Sequence, residues 1–471
     1  VDPRNPSTAP IHPALHPTRS TVSRFRQVIQ HFATPTPARL ALTAFTGLIA
    51  LFTALLSLPA ASADGERTAL VDALFTAVSA VCVTGLVSVD TGEHWSDLGL
   101  VIIAVAIKLG GLGMLTVFSL LSLSVMRKMN LAQKLLTATE TRTEKLAEVG
   151  NVVRTVVITS SIFEVATFIL LTPYMIVTDH PPGRSVFLGA FYAISAFNNA
   201  GFIPEAEGVA QYAGDPFFLI PVGIAVLVGS LGFPVILVMV KKWKHPVRWS
   251  VHVKLTLVTT GMLFGLAWVG LLAMEWANPD TLGEHGIGRK LLTSWFTAIM
   301  PRSGGFSTLD IGLMTGESRL LMDALMFIGG GSGSTAGGIR VTTFALLMLS
   351  IWAEVRGNPD VEVFGRRIPS ETIRQAIGVL VMAVSVVMIG TFLMLRMTAF
   401  TLDQSLFEVL SAFGTVGLST GITGTLPTDA KLVIIALMYI GRLGPMTVAA
   451  SLALRSRTRM IRYPLERPIV G

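Results

Sequence analysis

Four short segments of this 471-residue chain set small, hydroxyl or amide residues around a glycine that is followed by a bulky apolar side chain. They are Val83-Thr84-Gly85-Leu86, Asn199-Ala200-Gly201-Phe202, Ser303-Gly304-Gly305-Phe306 and Thr415-Val416-Gly417-Leu418. Residues of these types carry no acid, base or nucleophile worth the name. What they can offer is backbone: carbonyl oxygens that replace the hydration shell of a monovalent cation. Successive carbonyls face one axis only if neighbouring residues alternate in conformation, and glycine supplies the positive-φ half of that alternation. Four such strands around one axis would stack square rings of oxygens, a geometry that suits potassium. A single glycine turn means little, because most glycines in membrane helices serve packing. Here the key glycines recur at intervals of 116, 104 and 112 residues, and a fourfold internal repeat dictates the fold.

Such strands need elements to hold them. The chain is 51% hydrophobic and 14% charged, with a mean hydropathy of +0.65, whereas a soluble domain carries roughly 25% charged residues. Several apolar runs approach the ~20 residues that cross a bilayer as a helix, so the chain reads as a polytopic membrane protein. Repeat A is expected over 38–126, with spans at 38–59 and 97–126 and a short segment at 68–82. Repeat B covers 150–241 (150–178, 186–198, 215–241) and repeat C 253–353 (253–276, 288–300, 318–353). Repeat D covers 372–454 (372–399, 403–414, 430–454). Each middle segment holds about 11–15 residues, too short to cross, so it must enter and leave by one face. The expected architecture is an all-α membrane protein of four tandem helix–pore-loop–helix repeats. It has eight transmembrane spans and four re-entrant half-helices around one pseudo-fourfold pore. Linkers at 127–149, 242–252 and 354–371 join the repeats. A Pro/Thr/Ser-rich tail at 1–37 is expected to be disordered, and a second tail occupies 455–471.

Charge sets the orientation. The net charge of +7 and pI near 9.7 would suit nucleic acid, but the positions argue against that partner. Of 36 Lys and Arg, 26 lie in the tails and linkers of one side; eight lie on the other (Arg67, Arg184, Arg289, Lys290, Arg302, Arg319, Arg396 and Lys431), and Lys108 and Arg442 fall inside spans. The positive-inside rule then puts both termini in the cytoplasm, with the glycine turns opening outward from the plasma (inner) membrane. Outer loops rich in Asp and Glu, such as Asp90, Glu93, Glu205 and Asp310, would concentrate cations. Cys82 is the single cysteine, which excludes an intrachain disulfide and a thiolate cluster. No histidine is expected mid-span, against haem or a buried metal, and the first forty residues lack the apolar core of a signal peptide. No covalent cofactor is expected. The ion at the strand carbonyls is potassium, with sodium a second candidate.

A further motif interrupts the second span of repeat C: Gly329-Gly330-Gly331-Ser332-Gly333-Ser334-Thr335-Ala336-Gly337-Gly338. Six glycines in ten residues cannot hold a straight helix. Nor is this a phosphate loop, since no Gly-Lys-Ser/Thr follows and no strand precedes it. Exposed backbone at this depth fits the lining of a water-filled pore.

Together with Ile107-Lys108-Leu109-Gly110-Gly111-Leu112-Gly113, Gly232-Phe233-Pro234 and Gly441-Arg442-Leu443-Gly444-Pro445, these motifs resemble the KtrB/TrkH/HKT superfamily of potassium transporters over about residues 38–471. The KtrB type is the better match, because one span precedes the first re-entrant segment. The resemblance implies potassium uptake through a selectivity filter made by the four strands. It implies an intramembrane gate loop at 329–339, with Arg442 facing the same constriction. It also implies a homodimer with one pore per subunit, seated on a cytosolic ring of RCK subunits that alone would bind nucleotide. Basic linkers such as Lys241-Lys242-Trp243-Lys244-His245 could meet that ring or anionic lipid.

Lys108 stands where the family usually carries glutamine, and is expected to point away from the ion path or be neutralised. Glu164 is expected to pair with a neighbouring helix, Glu275 to be interfacial, Cys82 to pack, and Gly304, where alanine is common, to soften its wall. Two rival classes fit the sequence less well. A sodium-coupled or sodium-permeable secondary cation transporter also breaks its helices, but such repeats are usually two and inverted. An intramembrane hydrolase would need paired aspartates, His-Glu-x-x-His or a Ser-His pair, which the spans lack; no enzymatic activity is expected.

Overall fold

The computed structural model describes residues 37–128, 149–178 and 181–454. Both tails and the centre of the first linker lie outside the described residues. Repeat A comprises α1 (Pro37–Leu56), the half-helix α2 (Leu70–Val81) and α3 (Asp97–Lys128). Repeat B comprises α4 (Val149–Val177), the half-helix α5 (Pro182–Phe197), and α6 (Pro216–Leu231) followed by α7 (Phe233–Lys242). Repeat C has α8 (Val251–Glu275), the half-helix α9 (Ile287–Ile299), and α10 (Gly316–Phe327) followed by α11 (Val341–Val355). Repeat D has α12 (Ser370–Met397), the half-helix α13 (Leu402–Gly414) and α14 (Thr428–Leu454).

Local chemistry sets many of the starts. Asp215 caps α6 through Phe217 N, with Pro216 at the first position, where its missing N–H costs nothing. Thr315 caps α10, and Thr401 with Gln404 forms a capping box on α13, satisfying donors that a helix start leaves bare. The half-helices run 12, 16, 13 and 13 residues. At 1.5 Å per residue that is about 18–24 Å, short of a ~30 Å hydrocarbon layer.

The burial pattern is that of a membrane bundle. The half-helices are the most enclosed elements, α2 being buried from Phe75 to Val81. The outer spans turn apolar side chains outward, with Ile162, Met262, Met388 and Phe392 each more than 60% exposed. Hydrocarbon is as good a solvent for such groups as another helix, so no penalty attaches.

Two features depart from the sequence expectation. The span expected at 215–241 is broken: α6 and α7 meet at a 101° bend. Gly232 at the corner has φ +96°, and a Cβ there would fall 2.6 Å from Ser332 O, so the Gly-rich loop of repeat C occupies the space a straight helix would need. The linker at 354–371 contains an antiparallel hairpin, β1 (Val361–Val363) and β2 (Arg366–Ile368), with Glu362 opposite Arg367. Phe364 and Gly365 both have positive φ, as a two-residue hairpin turn requires.

Candidate functional site

The four half-helices end within a few residues of the key glycines, and there the chain adopts one conformation four times. Val83, Asn199, Ser303 and Thr415 have φ of +56°, +60°, +74° and +46°. Two residues on, Gly85, Gly201, Gly305 and Gly417 have φ of +95°, +68°, +75° and +94°. The residue between keeps negative φ, so each strand alternates hand. Only Phe364 shares the left-handed region among the other described non-glycine residues. For β-branched Val83 and Thr415 that conformation is strained by about 1–3 kcal/mol each.

The strands close into a ring in the order A, B, C, D. A Cβ on Gly85 would lie 2.3 Å from Ala200 O, and one on Gly201 2.7 Å from Gly305 Cα. One on Gly305 would lie 2.6 Å from Val416 O, and one on Gly417 2.2 Å from Thr84 O. Each glycine therefore touches the next strand's backbone, and no side chain fits between. The half-helices point their carbonyl ends at this axis, so their dipoles favour a cation there.

A second set of close approaches holds the half-helices from behind. A Cβ on Gly110, Gly229 or Gly441 would fall within 2.0 Å of the carbonyl oxygen of Val81, Phe197 or Phe413 respectively. In three repeats the second span thus presses its backbone on the last turn of its own half-helix, which only glycine permits. Three ion pairs tie repeats together on the side of the glycine turns: Asp97–Arg184 at 2.8 Å, Arg319–Asp403 at 2.8 Å and Asp72–Lys431 at 2.7 Å. On the same side Glu205 accepts from Tyr192 and Tyr212. Burial, and then that carboxylate, hold the Tyr212 phenol well above its ordinary pKa.

Below the ring lies the loop between α10 and α11. It hydrogen-bonds to the corner of repeat B through Gly331 N to Ser230 O at 2.8 Å and Phe233 N to Gly333 O at 3.0 Å. The Thr335 hydroxyl is 3.1 Å from Asn199 Oδ1 and from Gly229 O. Gly337 packs under strand D, where a Cβ would fall 2.2 Å from Thr415 Oγ1. Arg442, 1% exposed, donates from Nη1 to Thr335 O. Arg340 folds back on the loop, donating to Ala336 O at 2.5 Å and Ser334 Oγ at 3.3 Å.

The known proteins similar to this chain agree on its family. A family profile described as TrkH, cation transport protein, matches residues 27–459. The chain is 35% identical to the Ktr system potassium uptake protein B of Bacillus subtilis, over 91% of this chain and 95% of that protein. It is 31% identical to the potassium/sodium uptake protein NtpJ of Enterococcus hirae, over 92% and 97%. This chain belongs to the TrkH family of cation transport proteins. The crystal structure of the potassium transporter TrkH from Vibrio parahaemolyticus shares its fold, with a TM-score of 0.68 at 17% identity, covering 93% of this chain and 90% of that one.

Within this TrkH-family frame the four strands named from sequence approach one another at Thr84, Gly85, Ala200, Gly201, Gly304, Gly305, Val416 and Gly417, and the Gly-rich segment packs against strand D through Gly337. Lys108 is neutralised: its Nζ is 2.5 Å from Glu164 Oε2, while Asn198 Nδ2 donates to Glu164 Oε1 at 2.8 Å. One carboxylate so joins α3, α4 and the end of α5. Cys82 is buried at the end of α2.

Two expectations need correction, those for Arg302 and Gly304, and the place of Glu275 gains detail. Glu275, the last residue of α8, is fully buried there. It accepts from Asn278 Nδ2 at 2.7 Å, Thr281 Oγ1 at 2.6 Å and both N and Oγ1 of Thr315 at 2.9 Å, anchoring the loops that lead to α10. Arg302 does not belong with the outer loops; it is 2% exposed behind strand C, where Nη1 donates to Thr260 O at 3.3 Å. Gly304 does not soften its wall, because Met300 and Val226 fill the space, and a Cβ would meet Met300 Sδ at 2.6 Å.

Sequence reasoning missed Arg340 and Glu408. Arg340 read as an ordinary cytoplasmic charge, although it closes the Gly-rich run. Glu408 is buried in α13 and accepts from Ser419 Oγ, from Thr420 N at 3.1 Å and from Thr423 Oγ1 at 2.8 Å. A carboxylate inside a half-span apolar run was the available signal.

Proposed function

We propose that this chain is the ion-conducting translocation subunit of a Ktr/Trk-type potassium uptake system in the plasma membrane. The observation that carries the proposal is the closed ring of four strands, each alternating in hand at the same two positions. Alternation of this kind turns successive carbonyls toward one axis, where they can replace a potassium ion's water at little reorganisation cost. The strands Val83–Leu86, Asn199–Phe202, Ser303–Phe306 and Thr415–Leu418 act as the selectivity filter. The loop from Gly329 to Gly338 acts as the gate beneath it, and Arg442 holds that gate shut. Gate backbone obstructs the path without a bulky side chain, and the nearby guanidinium repels a cation: at about 4 Å and an effective dielectric near 20 the Coulomb term reaches ~4 kcal/mol.

The names of the Bacillus relatives, which describe a Ktr system, support a partnered assembly. In this reading two copies form a homodimer on a cytosolic RCK ring, which carries the nucleotide; both termini face the cytoplasm, and lipid surrounds the dimer. A sodium-coupled or sodium-permeable transporter is the second reading, favoured by the potassium/sodium name of the Enterococcus hirae relative. Rubidium and sodium uptake into liposomes holding the purified chain, under matched gradients, separates the two. Potassium-type selectivity gives rubidium uptake well above sodium uptake; equal uptake rejects it in favour of the second reading.

A further inference from the structure

The four strands are not held alike. In repeats A and D a serine six residues before the key glycine turns its hydroxyl onto the strand. Gly85 N donates to Ser79 Oγ at 3.0 Å, and Gly417 N to Ser411 Oγ at 3.1 Å. The same serines accept the preceding amide on their carbonyls, from Thr84 N and Val416 N, both at 2.8 Å. Repeat B keeps this serine: Ser195 O accepts from Ala200 N at 2.8 Å, and its hydroxyl donates to Phe202 O at 3.0 Å. Repeat C carries Ile299 at the corresponding place. There Gly304 N turns to Met300 O at 2.8 Å, one residue nearer along the half-helix. Strand C is tied sideways instead. The Ser303 hydroxyl donates to Thr415 O of the neighbouring strand D at 2.5 Å and accepts from Gly337 N of the loop at 3.4 Å.

We propose that Ser79, Ser195 and Ser411 are positioning residues that fix the carbonyl spacing of strands A, B and D from behind, while Ser303 positions strand C from the side. The proposal rests on reading these strands as the selectivity filter. All four serines are fully buried, where a hydrogen bond meets no competition from water. Removing Ser79 or Ser411 leaves a glycine amide buried without its acceptor, a state the backbone escapes by rotating. Rotation of that peptide plane swings the adjoining carbonyls off the axis, and ion preference depends on the number and field of those oxygens. Strand C differs in kind, because Ser303 makes its placement depend on strand D and on the loop below.

The test is the ratio of rubidium to sodium uptake by the full chain in liposomes. Ser79→Ala, Ser411→Ala and Ser303→Gly should each lower that ratio about fivefold, the change expected from losing one ordinary hydrogen bond. Glycine accepts the φ of +74° at position 303 without strain, and Ser79→Thr, which keeps the hydroxyl, should restore the ratio. Ser385→Ala, whose hydroxyl bonds only Val381 O of its own helix, is the control. If an alanine variant does not insert, Ser79→Cys, of similar size and weaker as an acceptor, is read in the same way. Ratios that stay at the wild-type value in inserted, monodisperse protein overturn the proposal. The filter reading fails on different evidence: a wild-type chain without rubidium preference, or a Gly85→Ser chain that keeps it.

Discussion

At Gly85 a single added carbon decides the outcome. A Cβ would fall 2.3 Å from Ala200 O, and φ of +95° is foreign to any other residue. Gly85→Ser must therefore open the ring between strands A and B, and we expect rubidium-over-sodium preference to fall at least about tenfold, equivalent to ~1.4 kcal/mol. Liposome flux under matched gradients measures it, and an unchanged ratio would remove Gly85 from the ion path. Arg442 makes the opposite kind of prediction. Its contact with Thr335 O joins α14 to the loop, so Arg442→Ala should raise resting rubidium flux several-fold and leave the ion preference where it was. Unchanged flux in folded, inserted protein would make Arg442 a packing residue. Both residues were legible in the sequence, glycine by its fourfold recurrence and arginine by its cost inside a span. Val83, Asn199, Ser303 and Thr415 were legible as strand members but not as left-handed residues, since nothing in their side chains demands positive φ. The strain is imposed by the half-helix ending behind each of them.

Elements tell where strength and flexibility reside. Lys108 and Glu164 join α3 to α4, with Asn198 bringing in the end of α5. Lys108→Met strands a buried carboxylate and should destabilise the protein by roughly 3–5 kcal/mol. Adding Glu164→Gln, which can still accept from Asn198, should recover most of that. Thermal loss of the monodisperse chromatographic peak reads both; a Lys108→Met chain as stable as wild type would mean that the pair is incidental. The loop between α10 and α11 is the element whose length offers a test of the proposed gate. Removing Gly330 and Gly331 takes away the turn that meets Ser230 and Leu231, so basal rubidium flux should rise while selectivity persists. If flux stays at the wild-type level, the obstruction lies elsewhere, and the segment is only a break in a span. The same loop explains the bend at Gly232. Sequence alone reads 215–241 as one span, because the residues that displace α7 are a hundred positions further on.

For the whole molecule the ring order is A, B, C, D, and among the described residues ion pairs bridge three of its four seams. Orientation is the property most open to direct test. Cys82 is buried, so a cysteine placed on the surface is the one available to a polar thiol reagent. Glu284→Cys, on the side of the glycine turns, should label in intact cells. Asn358→Cys, beside the hairpin, should label only after the membrane is opened. The reverse pattern would invert the topology and with it the assignment of uptake.

Hydropathy, the spacing of four glycines and the run at 329–338 determined the number of repeats, the short length of the half-helices and the place of the break in repeat C. The first is a pattern recurring along the chain, and the other two depend on residues close together in it, where propensity and length act without outside help. Tertiary structure alone decided the closure of the ring, the partner of Lys108 some fifty residues away, the bend at Gly232, and the tie of strand C to strand D through Ser303. These follow from contacts between repeats, where one backbone occupies space that another would otherwise take. A local pattern carries no record of such exclusion.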